Sequence, residues 1–205
     1  MISDPRQHAP ATQRNREPIL AVLQRVLPPT GTVLEIASGT GEHALYFAPR
    51  LQPRIWLPSE FNPQLRESIQ AWQTDSPCEF LYPPLALDAA RPPWDLGDWG
   101  SQITAMVCIN MIHISPWEVC LGLMAGAEGV LSSGGILYLY GPYQRNGGHT
   151  APSNEAFDRS LRSSNPLWGV RHLEEVIAVA RSHNLQHIET VPMPANNLSV
   201  IFKRI

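Results

Sequence analysis

Apolar residues in this chain come in two spacings, and the alternation between them predicts the architecture. Ile19, Leu20, Leu23, Val26 and Leu27 recur at helical intervals, so a helix is expected from about Gln13 to Leu27, stopped by Pro28-Pro29-Thr30-Gly31. Short, largely apolar runs then predict strands at Thr32–Ile36, Arg54–Leu57, Cys78–Leu87, Ile103–Ile109 and Ile136–Tyr140, of which Ile103–Ile109 is nearly continuous. The Cys78–Leu87 run is interrupted by Pro83-Pro84. Helices are expected between the strands. One runs to about Arg50, and another opens at Asn62-Pro63 and carries Leu65, Ile69 and Trp72. A third runs from Ser115-Pro116-Trp117-Glu118, which reads as a capping box, to about Leu131. Residues 91–100 read as an irregular connection or a short helix.

Residues 141–152 form a glycine- and histidine-containing loop, too long for a plain connection and therefore a candidate functional segment. Helices are expected over Ser153–Leu161, with Ser153 and Glu155 in ordinary capping roles, and over Arg171–His183. The runs Gln186–Val191 and Leu198–Lys203 flank a short polar turn and predict an antiparallel hairpin, with Asn196-Asn197 suited to left-handed turn geometry. Residues 1–12 are polar and are expected to be mobile or ordered only by ligand. Five β-α units and a terminal hairpin give an α/β fold. The expectation is a three-layer Rossmann-like sandwich on a seven-stranded, mostly parallel sheet, in one domain over residues 1–205.

Composition narrows the function classes. Charged residues are 16% of the 205, against roughly 25% in typical soluble domains, with a net charge of −3 and a single lysine, Lys203. No basic patch marks a nucleic-acid binder, and no apolar run approaches the roughly 18 residues of a membrane span. Cys78, Cys108 and Cys120 cannot all pair and show no Cys-x-x-Cys spacing. The N-terminus lacks the apolar core of a signal peptide. A cytoplasmic setting is expected. His183 and His187 lack a third ligand and a regular scaffold, so no metal site is expected.

The chemistry gathers at Glu35-Ile36-Ala37-Ser38-Gly39-Thr40-Gly41-Glu42-His43-Ala44, a strand-loop-helix junction of the kind that binds ligands at the carboxyl end of a strand. The same residues satisfy Gly-x-Gly-x-x-Gly/Ala with an acid about 20 residues on, so an NAD(P)-binding Rossmann enzyme is one reading. Glu35 ahead of the loop argues against it, because a carboxylate repels a pyrophosphate. Together with the terminal hairpin, the junction resembles the first motif of class I S-adenosylmethionine-dependent methyltransferases, acidic-x-Gly-x-Gly-x-Gly, with Ala37 in place of the first glycine. Three further stretches are similar to the methyltransferase-like protein 26 family: Arg14-Asn15-Arg16-Glu17-Pro18-Ile19, Asn110-Met111-Ile112-His113-Ile114-Ser115-Pro116-Trp117, and Tyr140 to Tyr143 with His149 to Glu155. Pro194-Ala195-Asn196-Asn197-Leu198 adds a fourth.

The resemblance implies S-adenosyl-L-methionine as cofactor and methyl transfer as activity, with the acceptor unidentified. It implies that Glu35 receives the cofactor ammonium and that Ala37, Ser38, Gly39 and Gly41 line its path. His43 would lie in the helix first turn near its carboxylate. Glu60 would accept both ribose hydroxyls, Asp88-Ala89 would recognise adenine, and Asn110 would open the segment near the methyl group. His113 is the candidate general base or orienting group; Tyr143 and His149 could reach a substrate from the loop. Arg14 and Asn15 are candidates for a lid, and Asn154 for an acceptor contact. A small-molecule acceptor is expected, a protein acceptor is second, and the chain is expected to be a monomer or homodimer. A non-catalytic cofactor-binding protein is the other reading kept open.

Overall fold

The computed structural model describes residues 4–205. The chain divides into two compact units, Met1–Asp88 with Trp94–Val107, and Ala89–Pro93 with Cys108–Ile205.

The first unit holds strands β1 (Thr32–Ile36) and β2 (Ile55–Pro58), which pair in parallel, and most of β3 (Ile103–Ile109), in the order β2-β1-β3. Helices α1 (Pro10–Val26), α2 (Glu42–Phe47) and α3 (Pro63–Asp75) belong to the same unit, with α2 in contact with α1, α3 and β2. All five residues of β1 are buried, as expected of a strand covered on both faces. Phe47 and Trp56 meet at 5.4 Å, and Ile19, Leu23, Leu34, Leu51 and Ile69 are likewise fully buried. Asn62 caps α3 as expected, its side-chain oxygen accepting from the Gln64 N–H at 2.9 Å, with Pro63 in the first turn.

Four expectations for this unit are corrected. Helix α1 begins at Pro10 rather than Gln13, because proline suits a first turn. Residues 4–9 are held by hydrogen bonds rather than free: the Gln7 N–H donates to Ser68 Oγ (2.8 Å), the Trp72 indole to the Gln7 carbonyl (3.1 Å), and the Ala9 N–H to Glu42 (2.5 Å). Residues 1–3 of that expectation lie outside the described residues. The Cys78–Leu87 strand reduces to two isolated parallel bridges, Trp56 to Leu81 and Ser59 to Leu85, because Pro83-Pro84 offers no N–H between them. Among the described residues the main sheet therefore has six strands where seven were expected. Helix α2 is only six residues long and tightens into a 3-10 turn at Ala48–Arg50.

In the second unit the end of β3 is followed in strand order by β4 (Ile136–Gly141), β9 (Asn197–Arg204) and β8 (Leu185–Met193). β4 and β8 both pair antiparallel to β9, so the expected terminal hairpin is present. Helices α4 (Trp117–Val130), α5 (Pro152–Ser164) and α6 (Leu173–Ser182) complete the unit. Tyr138, Leu139, Tyr143, Val176 and Phe202 form its core, and the Tyr138 hydroxyl is matched by Ser199 at 2.6 Å.

The long loop carries strands of its own. β5 (Tyr143–Arg145) pairs with β6 (Gly148–His149) and with β7 (Arg171–His172) in a small second sheet. Two cap expectations fail, and the turn expectation for Asn196-Asn197 holds only at Asn196. Pro116 occupies the cap of α4, while the Ser115 hydroxyl donates back to the Met111 carbonyl at 2.9 Å. Ala151 caps α5 without a side-chain bond, and Ser153 Oγ instead accepts from Asn196 Nδ2 at 3.0 Å. In the hairpin turn Ala195 and Asn196 take the positive φ values (56° and 58°), and Asn197 does not.

Candidate functional site

The bend that ends β1 is built by backbone hydrogen bonding to the residues just past β2. The Ser38 N–H donates to the Ser59 carbonyl (2.9 Å), and the Ser59 N–H and hydroxyl both donate to the Glu35 carbonyl (2.8 and 2.7 Å). The Gly39 N–H donates to Glu60 Oε2 at 2.9 Å. Glu60 Oε1 accepts from the Asn62 N–H at 3.0 Å, which fixes both carboxylate oxygens within a buried residue.

Three residues of the bend have left-handed φ: Ala37 at 54°, Gly39 at 57° and Gly41 at 91°. The two glycines are needed for different reasons. A Cβ on Gly41 would stand 2.8 Å from Ile69 Cγ1, so α3 requires a bare backbone there. A Cβ on Gly39 would meet nothing within 4 Å, so that residue borders open space in which a ligand can lie against main chain. Ala37 departs from the glycine of the resemblance by strain rather than by bulk alone. A left-handed φ costs a residue with a Cβ about 1–2 kcal/mol. Ala37→Gly removes that strain and adds about 0.5–1 kcal/mol of chain entropy to the cost of folding. A net gain of up to about 1 kcal/mol is expected in urea denaturation; a net loss would show that the methyl group packs favourably.

Glu35 lies beneath the bend, 1% exposed, and accepts from the Trp56 indole at 3.0 Å. Burial is the main influence on it, and with the neighbouring Glu60 charge it raises the carboxyl pKa to about 7 against the hydrogen bonds from Trp56 and Ser38. This is a buried acid whose charged form needs a cation. His43, in the first turn of α2, turns toward α1: its Nε2 is 2.8 Å from Asn15 Oδ1 and its ring stacks on Phe47. Burial lowers its pKa to about 4, so the ring is neutral and donates to Asn15. Asn15 is thereby buried as a latch between α1 and α2, while Arg14 is exposed on α1. Asp88 is half-buried, its carbonyl accepting from the Trp94 indole at 3.0 Å.

In the second unit, Ala89 lies against α4, where a Cβ on Gly122 would stand 2.3 Å from the Ala89 carbonyl oxygen. Asn110 takes φ 60° at the end of β3, its N–H donating to the Tyr140 carbonyl at 2.9 Å. His113 is 2% exposed and sits on Gly141, where a Cβ would be 2.7 Å from its Cε1. Its edge meets Phe157 at 5.8 Å, and its carbonyl accepts from the Gly169 N–H at 3.0 Å. Burial and then the Arg171 charge lower its pKa to about 4. Its Nδ1 is enclosed and has no hydrogen-bond partner among the described residues.

His149 lies on β6 with Nε2 3.7 Å from Asp158 Oδ2 and an enclosed Nδ1 that has no hydrogen-bond partner among the described residues. Tyr143 does not reach out from the loop as the sequence suggests. It is 1% exposed, its hydroxyl is enclosed, and burial raises its pKa well above the ordinary value. Gln144, which alternates with it in β5, is buried as well, and only Arg145 at the strand end is exposed. Asn154 is buried, donating to Thr150 Oγ1 and to the Asn196 carbonyl, each at 2.9 Å, so it ties α5 to the loop and to the hairpin turn.

Sequence reasoning passed over Ser59, Trp56 and Arg171. Arg171 donates to the Ile112 and Ser115 carbonyls at 3.0 and 2.6 Å, holding the segment that carries His113. Ser59 adjoins Glu60 and could have been found by asking what satisfies the polar groups of a buried bend. Arg171 was missed because the two carbonyls by which it holds the His113 segment lie more than fifty positions away in sequence.

A family model described as "Protein of unknown function (DUF938)" matches residues 6–204. The chain belongs to this family. Among solved structures it is similar to an O-methyltransferase family protein from Burkholderia thailandensis (TM-score 0.78, 14% identity, 95% of this chain and 57% of that one). It is similar also to an O-methyltransferase family 2 protein from Planctomyces limnophilus in complex with apigenin (TM-score 0.73, 16% identity, 93% and 61%). A third is a calicheamicin-biosynthesis methyltransferase with SAH bound (TM-score 0.71, 14% identity, 93% and 54%). The likeness shows an α/β Rossmann-like fold. The chain spans a little over half the length of these structures. No helix among the described residues is long and apolar enough to cross a membrane.

Proposed function

We propose that this chain is an S-adenosylmethionine-dependent methyltransferase, acting as one functional domain on a small-molecule acceptor in the cytoplasm. The observation that carries the reading is the buried Glu35 carboxylate beneath a bend whose Gly39 position opens on empty space, with the Glu60 carboxylate fixed beside it. These residues fit the cofactor. Glu35 supplies the negative charge its ammonium needs, Gly39 the clearance, and Glu60 the acceptor for a ribose diol. Asp88 is assigned to the adenine end. When bound, S-adenosylmethionine supplies a methyl group activated on a sulfonium, so that the protein's main task is positioning.

Of the acceptor-side candidates, His113 fits an orienting role better than that of a base. A ring held neutral with a pKa near 4 takes up protons poorly at neutral pH, but its enclosed Nδ1 can still accept a hydrogen bond. His149 remains a candidate for proton removal, Arg14 for a lid, and Asn154 for holding the α5 end in place. The small-molecule acceptor is supported by the neighbour solved with apigenin. Kinship with the methyltransferase-like protein 26 family is part of the same proposal, supported by the four sequence stretches that carry the resemblance.

Calorimetric titration with S-adenosylmethionine and, separately, NAD tests the cofactor. An ammonium brought near Glu35 lowers its pKa from about 7, so binding at pH 7 is expected to release up to about half a proton, read from titrations in buffers of different ionisation enthalpy. Micromolar NAD binding with no response to S-adenosylmethionine would sink the proposal. A metabolite-extract screen with labelled cofactor then identifies the acceptor; tight binding without transfer would leave a non-catalytic cofactor-binding protein.

A further inference from the structure

We propose that the first unit carries a second ligand site, a groove against α1, α2 and the end of α3 that takes a small oxyanion attached to a flat apolar body. The groove encloses about 450 Å³, within the range of roughly 300–1,000 Å³ typical of small-molecule sites. Glu35, Ser38, Gly39 and Glu60 do not line it, so it is separate from the cofactor bend.

Two arginines define it. The guanidinium carbon of Arg16 stands 4.5 Å from the Tyr46 ring centre and that of Arg50 3.9 Å from the same ring. Neither forms an ion pair among the described residues. Arg50 donates from Nη1 to the Tyr46 carbonyl at 3.0 Å, which leaves most of its five N–H donors for another acceptor. Arg16 Nε is enclosed and has no hydrogen-bond partner among the described residues. Two like charges gathered on one ring repel each other, and an oxyanion bound between the guanidinium groups relieves that repulsion.

The acid that lines the groove does not supply this charge. Glu42 Oε2 accepts from the Ala9 N–H and the Thr40 hydroxyl (2.5 and 3.1 Å), and Oε1 faces His8 Nδ1 at 3.2 Å. Its carboxylate is thus directed to the N-terminal segment and the glycine bend. Tyr46 and Trp72, with Leu45 between the polar positions, offer the flat apolar surface for the body of the ligand. Guanidinium groups match carboxylate and phosphate geometry alike.

The test uses the full-length protein without cofactor, so its outcome is independent of the methyltransferase reading. Phenyl phosphate and benzoate are titrated into isotope-labelled protein while amide and indole resonances are followed, with benzyl alcohol as the uncharged control. Saturable shifts are expected at Arg16, Tyr46, Arg50 and the Trp72 indole with the anions and not with the alcohol. The Arg16→Gln/Arg50→Gln double variant is expected to weaken binding at least tenfold, and Glu60→Gln to leave it unchanged. Whichever anion binds more tightly identifies phosphate or carboxylate as the natural group. Shifts that map elsewhere, equal binding of benzyl alcohol, or undiminished binding in a folded double variant would overturn the proposal. The shift map of the wild-type protein decides it even if the double variant fails to fold.

Discussion

Glu60→Gln is expected to weaken S-adenosylmethionine binding about 100-fold. The carboxylate has roughly four lone-pair positions. One is taken by the Gly39 N–H at 2.9 Å and one by the Asn62 N–H at 3.0 Å, which leaves two for a pair of ribose hydroxyls. Hydrogen bonds to a charged acceptor contribute about 1.5–3 kcal/mol each. Glutamine removes the charge and turns one accepting oxygen into a donor, so one ribose contact is lost and the other weakened. The same change sets an amide NH2 against a backbone N–H, costing the apo fold about 1–2 kcal/mol. Calorimetry with cofactor, beside thermal denaturation of the apo protein, separates the two effects. Affinity within threefold of wild type would remove Glu60 from the cofactor site.

The strands most continuous in apolar residues were the most legible in sequence. Thr32–Ile36 and Ile103–Ile109 occur with the boundaries the pattern predicts, because a strand covered on both faces is mostly apolar, even with Glu35 inside the first and Thr104 inside the second. The Asn62-Pro63 helix start was legible for a local reason, a side-chain cap closing on a nearby N–H. Failures occur where distant residues decide. Ser115 and Ser153 match cap patterns, but their hydroxyls find the Met111 carbonyl and Asn196 instead. The run 78–87 is apolar enough for a strand, yet its two prolines leave only isolated bridges.

The site divides the same way. The glycine bend could be read from spacing alone, since Gly41 must clear Ile69 and Gly39 stays open. What the spacing could not give is how its neighbours are occupied. His43 is committed to Asn15, and Tyr143 is turned into the core by its place in a strand that pairs with β7, formed some thirty residues later in the chain. Neither partner is near in sequence.

Stability is expected to fall by about 3 kcal/mol between pH 7 and pH 4 on balance of three buried groups. His43 and His113 each have a folded pKa near 4 against an ordinary 6.5. The folded chain therefore binds fewer protons than the unfolded chain between those values, and the stability present above pH 6.5 is lost as pH falls through that window. Each histidine accounts for about 3 kcal/mol. Glu35 acts with the opposite sign. Its folded pKa near 7 exceeds the ordinary 4.5, so the folded state holds an extra proton between pH 4.5 and 7, and acidification returns about 3 kcal/mol. Urea denaturation at pH 7 and pH 4 reads the sum, and single variants separate its parts. His113→Gln is expected to lose almost no stability across the window, because one of the two destabilising protonations is gone and Glu35 offsets the other. Glu35→Gln is expected to lose about 6 kcal/mol, because the offset is gone. Parallel pH profiles for wild type and His113→Gln would show that the His113 ring is not held neutral by burial, and would remove the reason for assigning it an orienting role rather than that of a base.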